Sequence, residues 1–117
     1  MKKAALIKNG RIVTANAEIA DSFLKRFRGL MLKKSIAPDY ALVISPCNQI
    51  HSFNMRFSFD AVYLSAMGEV VEIHENIKPG KVCKTVKPAK SVIEMNAFMS
   101  KRFGIKTGDT LEVKTEL

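Results

Sequence analysis

Between Ile50 and Leu64 the chain reads IHSFNMRFSFDAVYL, its most regular stretch. Apolar and polar residues alternate there as they do in a strand that buries one face, and such a strand needs neighbours to cover it. On this reading His51, Phe53, Met55, Phe57 and Phe59 share the apolar face, while Ser52, Asn54, Arg56, Ser58 and Asp60 share the polar one. Burying a large apolar side chain contributes about 1.5–3 kcal/mol. A slip of one residue would expose the whole set, so the pattern fixes one register.

The rest of the chain supplies partners for that strand. Ala4 to Lys8 and Arg11 to Thr14 flank Asn9-Gly10, a dipeptide suited to the type I′ turn of a hairpin. From Ile19 the period lengthens, with Phe23 and Phe27 following at four-residue steps and Gly29 placed to end a short amphipathic helix. Strands are predicted at Ala41 to Ile44, Val70 to His74, Ser91 to Met95 and Leu111 to Val113, with turns at Gly68 and Pro79-Gly80. A second short helix follows Asn96 and ends at Gly104. Many short strands with closely spaced turn signals predict a mainly β fold, a β-sandwich or jelly-roll-like barrel with one short helix in the N-terminal half and one near the C-terminus.

With 117 residues, 47% hydrophobic and 26% charged, one domain over residues 1–117 with an ordinary core is expected. MKKAALIKNG has too short an apolar run for a signal peptide or a membrane span, which makes a cytoplasmic location without a membrane partner the expectation. Cys47 and Cys83 are far apart in sequence and are expected as free thiols. The formal net charge of +8 favours anionic partners of any kind.

The stretch from His51 to Asp60 also resembles the family called domain of unknown function 192. The likeness extends through Ala20-Asp21, Arg28-Gly29-Leu30-Met31, Lys78-Pro79-Gly80, Val92-Ile93-Glu94-Met95 and Gly104-Ile105 with Gly108-Asp109. It implies a compact β-rich fold and brings no biochemical activity with it. Two positions depart from the family's pattern, which often has proline where Ser58 stands and glycine where Phe98 stands. The first implies a bend in the chain near Ser58.

No catalytic constellation is evident. Cys47, His51, His74 and Cys83 lack the close spacing of zinc ligands, so neither a metal nor a cofactor is expected. The leading expectation is a non-enzymatic binding module. Its polar strand face, Ser52, Asn54 and Arg56 with His51, Asp60 and Glu94 nearby, would hold a small anionic ligand or a segment of a protein partner. In the plainer alternative Arg56 pairs with a surface carboxylate such as Glu94. A second reading is nucleic-acid binding along Lys78, Lys81, Lys84, Lys87 and Lys90, which recur every third residue, assisted by Lys25, Arg26 and Arg28. A third is an enzyme that brings His51 and Asp60 into one pocket through the bend at Ser58.

Overall fold

The computed structural model describes residues 1–115. Its strands are β1 (Lys2–Lys8), β2 (Arg11–Ala20), β3 (Ala41–Ile44), β4 (Phe59–Leu64), β5 (Val70–Ile77), β6 (Ser91–Asn96) and β7 (Leu111–Lys114). Helix α1 (Phe23–Arg28) lies between β2 and β3, and α2 (Met99–Arg102) between β6 and β7. The strands form one curled sheet in the order β5-β4-β6-β3-β2-β1-β7. The mainly β reading with two short helices therefore holds, in the form of a half-barrel.

Local chemistry explains most of the connections. Asn9 and Gly10 both take positive φ, 54° and 74°, as a type I′ turn between β1 and β2 requires. β2 and β3 pair in parallel, so the chain must cross over between them, and α1 with residues 29–40 makes that crossover. Gly68 turns β4 into β5, and a Cβ there would stand 2.5 Å from the carbonyl oxygen of Leu111. The amide of Leu111 in turn donates to the Gly68 carbonyl, and Val70 exchanges bonds with Gly108 and Asp109. These contacts bring the two outer strands of the sheet together at one end.

Alternation along the strands separates two cores. Leu6, Val43, Val62, Val70, Ile93 and Leu111 fill the side enclosed by the curl, where Ile105 and α2 join them. Leu42, Ile44, Phe59, Tyr63 and Val92 face the other way. That outer face is covered by the loops, through Leu30, Tyr40, Ile50, Met55, Val86 and Ala89.

The predicted strand over 50–60 is absent. Only Phe59 onward is strand, and residues 45–58 form a loop in which His51 makes one isolated bridge to Val82. The alternation fails accordingly: Ser52 is fully buried, while Phe53, assigned to the core face, is 46% exposed. The cause is a turn. Met55 N–H donates to the Ser52 carbonyl and Asn54 takes φ 59°, as the third residue of a type II turn does. Ser52 is locked to the loop opposite, its Oγ donating to Lys78 O at 2.6 Å and accepting from Lys81 N at 2.8 Å.

Asp60, assigned to the polar face with Ser52, Asn54 and Arg56, is completely buried on the enclosed side. Its Oδ1 accepts from Asn76 N and Phe98 N, both at 2.9 Å, and its Oδ2 accepts from Ser100 N at 3.1 Å and Ser100 Oγ at 2.6 Å. Two of those donors have left-handed backbones, Asn76 at φ 54° and Phe98 at φ 69°. The bulge in the β4–β5 ladder between Phe59 and Ala61 is what presents Asn76 to the carboxylate. A left-handed residue is least strained without a Cβ, so position 98 is one where the backbone favours glycine over the Phe98 present.

Replacing Asp60 with Asn would turn an amide NH2 toward groups that themselves donate. The expected loss, read by urea denaturation, is about 3 kcal/mol or more, against about 1 kcal/mol for Ser100→Ala. Phe98→Gly should be neutral or stabilising by about 0.5–1 kcal/mol in the same measurement, since the side chain is 51% exposed and its backbone strain is relieved.

Candidate pocket over Glu94

The loop-covered face contains a cavity of about 310 Å³ bounded by α1, residues 44–51, Met55 and Glu94. Glu94 belongs to β6, where it pairs with Leu42 on one side and Ala61 on the other. Alternation along β6 places it with Val92 on the loop-covered face rather than with Ile93 and Met95. It is 3% exposed, and its Oε1 has no hydrogen-bond partner among the described residues. Burial pushes its carboxyl up from the usual 4.5 to about 8, so at neutral pH it is chiefly the uncharged acid, able to donate one hydrogen bond and accept others.

Gly29 makes room for this group. It ends α1, its N–H donating to the Lys25 carbonyl, and takes φ 51°. A Cβ at that position would stand 3.1 Å from Glu94 Oε1. Leu30, buried immediately after it, anchors the chain to the core. The sequence Arg-Gly-Leu thus ends the helix, allows a close approach to the carboxyl and secures the loop in three consecutive residues.

His51 joins the pocket wall to α1. Its Nδ1 accepts from Phe53 N at 3.2 Å, which leaves Nε2 as the protonated nitrogen, donating to Phe27 O at 3.2 Å. Its ring lies 5.2 Å from that of Phe27 and 5.4 Å from that of Phe53. Both nitrogens are engaged, so His51 acts as a wall and brace. Arg26, half-buried, and Arg28, exposed, also line the cavity, and neither makes an ion pair among the described residues. Cys47 completes the wall, its thiol donating to Gln49 O at 3.2 Å. Burial raises the Cys47 pKa, which disfavours the thiolate a nucleophile would need. Cys47 and Cys83 are free thiols.

The residues singled out from sequence therefore separate. His51 and Glu94, expected beside a polar strand face, and Arg26 and Arg28, expected along a nucleic-acid path, meet at one cavity. Ser52 is committed to the Lys78–Lys81 loop, and Asn54 uses its carbonyl to accept from Leu32 N. Arg56 is exposed and does not line the cavity, and its expected pairing with a surface Glu94 fails because Glu94 is buried. Asp60 lies across the sheet from His51, with both carboxylate oxygens occupied, so the bend before β4 does not bring those two together.

Lys78, Lys81, Lys84, Lys87 and Lys90 are all exposed, with Lys84 in an ion pair with Glu72 at 3.0 Å. No group of three or more potential metal ligands occurs among the described residues, and no helix there is long and apolar enough to cross a membrane. The cavity itself was hidden in the sequence, since Glu94 sits among apolar residues as any strand carboxylate might. Its nearest signal was Gly29, readable only as a helix cap.

Glu94 makes folding stability depend on pH. Between pH 4.5 and about 8 the unfolded carboxyl is ionised while the folded one keeps its proton, so stability falls as pH rises through that window and levels off above it. The full difference is at most about 5 kcal/mol. Denaturation of Glu94→Gln across the same window should show this fall removed, with the other carboxylates' contributions unchanged.

A family model described as DUF192, uncharacterised ACR, matches residues 4–113. A UPF0127 protein of Pyrococcus furiosus is 30% identical over 112 residues, covering 91% of this chain and 93% of its own. One from Pyrococcus abyssi is 35% identical over 101 residues, covering 81% and 83%. Among solved structures, a protein of Sinorhizobium meliloti 1021 described as a candidate transcription regulator superposes with a TM-score of 0.82 at 28% identity, covering 96% of this chain and 92% of its own. A protein of unknown function from Novosphingobium aromaticivorans gives 0.81 at 20% identity, covering 94% and 83%, a likeness of fold. With the family match spanning nearly the whole sequence, the chain belongs to the DUF192 family.

Proposed function

We propose that this protein is a non-enzymatic binding module whose ligand is a small organic acid held in the cavity over Glu94. One observation carries the reading: a buried carboxyl with an unpartnered oxygen borders a cavity that two arginines also line. An unmade hydrogen bond at a buried group costs about 1–3 kcal/mol, and a ligand that completes it recovers that cost on binding. Arg26 and Arg28 suit the acid's carboxylate, the neutral Glu94 suits an acceptor at its other end, and Phe23, Phe27 and Ile50 suit an apolar body between them. The volume of about 310 Å³ favours a small molecule over a peptide segment.

Nucleic-acid binding is the second reading. Its support is the exposure of all five lysines from Lys78 to Lys90 and the description of the Sinorhizobium meliloti relative. Against it, α1 has six residues and α2 four, too short for a recognition helix to cross a groove. The enzyme reading through His51 and Asp60 loses its geometric basis, because the two lie on opposite faces of the sheet.

Amide NMR with a panel of small carboxylic acids tests the proposal, with an oligonucleotide titrated in parallel. Shifts should cluster at Gly29, Cys47, His51 and Glu94, and Arg26→Ala should weaken binding about tenfold. Affinity should fall as pH rises through about 8, where ionised Glu94 repels the ligand, and Glu94→Gln should abolish that dependence. Shifts confined to the lysines between Lys78 and Lys90, appearing only with the oligonucleotide and lost at high salt, would support the second reading instead.

A further inference from the structure

Helix α1 buries none of its six residues. Phe23 is 72% exposed, Leu24 75% and Phe27 58%, an orientation opposite to the one an amphipathic helix adopts when it packs on a core. Leu32 and Phe53 are also exposed, at 62% and 46%. These residues are connected in space. The His51 ring stacks on Phe53 and lies tilted against Phe27, and Leu32 N–H donates to the carbonyl of Asn54 next to Phe53. The result is one apolar ridge drawn from α1 and two loops.

The ridge is edged with positive charge. Between Asp21 and Lys34 stand Lys25, Arg26, Arg28, Lys33 and Lys34 against the single acid Asp21, which pairs with Lys25 at 3.4 Å. A second copy of the chain placed face to face would bring these cations together, so the charge disfavours self-association. Three of the five cations are lysines, a residue depleted from protein–protein interfaces. Phenylalanine and leucine projecting outward with lysine and arginine beside them match a surface that enters the headgroup region of an anionic bilayer.

We infer that the ridge of α1, Leu32 and Phe53 attaches this protein peripherally to anionic membranes. Such attachment needs no spanning segment, so it is compatible with the lack of a membrane-crossing helix among the described residues. It departs from the sequence-based expectation of no membrane partner, which rested on spanning and leader segments alone. Phe23 and Phe27 of the ridge also line the cavity, whereas Leu24 and Leu32 do not, so a test on the two leucines separates this inference from the ligand proposed there.

Co-sedimentation of the full chain with vesicles of phosphatidylcholine alone, or of phosphatidylcholine mixed with phosphatidylglycerol, tests it. Binding to the anionic vesicles is expected at least about tenfold tighter than to the neutral ones, and weaker at high salt. The double substitution Leu24→Ser with Leu32→Ser should lower the anionic binding about tenfold while circular dichroism and urea stability stay unchanged, since both side chains are exposed. Lys78→Gln with Lys81→Gln and Lys87→Gln should have a smaller effect than the leucine pair. The inference is overturned if anionic vesicles are not bound, if the lysine triple abolishes binding while the leucine pair does not, or if the leucine pair instead dissociates a dimer of the chain.

Discussion

The carboxylate of Asp60 ties three parts of the chain to a single point. Its four hydrogen bonds join β4 to the bulge of β5 and to the start of α2, and they aim two left-handed backbone amides at one oxygen. A buried carboxylate is costly unless its lone pairs are filled, and here three backbone amides and the Ser100 hydroxyl fill them. The enclosed core, with Ile105 and the return to β7, is shaped around that arrangement. A second clamp at Ser52 does the same for the loops on the other face, tying residues 50–55 to 78–81.

Glu94 shows the opposite condition only one strand away. Its neighbour Met95 pairs with Asp60 across the ladder, yet the side chains of Glu94 and Asp60 point to different faces. Asp60 is fully satisfied and structural; Glu94 has an oxygen without a partner and a cavity beside it. The difference between the two acids is what separates scaffold from candidate site. It also explains why Gly29 stands at the end of α1, where a larger residue would press on the Glu94 carboxyl.

The sheet was legible where turn residues and short apolar runs marked its strands. Asn9-Gly10, Gly68, the apolar run Ala41–Ile44 and the closing strand at Leu111 all correspond to observed elements. The sequence misled where two physical causes leave the same pattern. The alternation from Ile50 to Phe59 arises from a turn at Asn54 and a buried Ser52, and side-chain periodicity alone cannot tell that from a strand. Likewise the four-residue spacing of Phe23 and Phe27 located α1 correctly, but its apolar residues face outward. The cavity was legible only in fragments, because His51, Glu94, Arg26 and Arg28 come from three separate segments and meet through long-range packing.

Most of what distinguishes the pocket follows from Glu94 being a neutral acid, poised for a partner, at physiological pH. Carbon-13 NMR of the glutamate side-chain carboxyls, assigned through Glu94→Gln, measures this directly. A midpoint for Glu94 near 8 is expected. A midpoint in the usual range near 4.5 would mean that water or a cation already satisfies the carboxylate, and would contradict it.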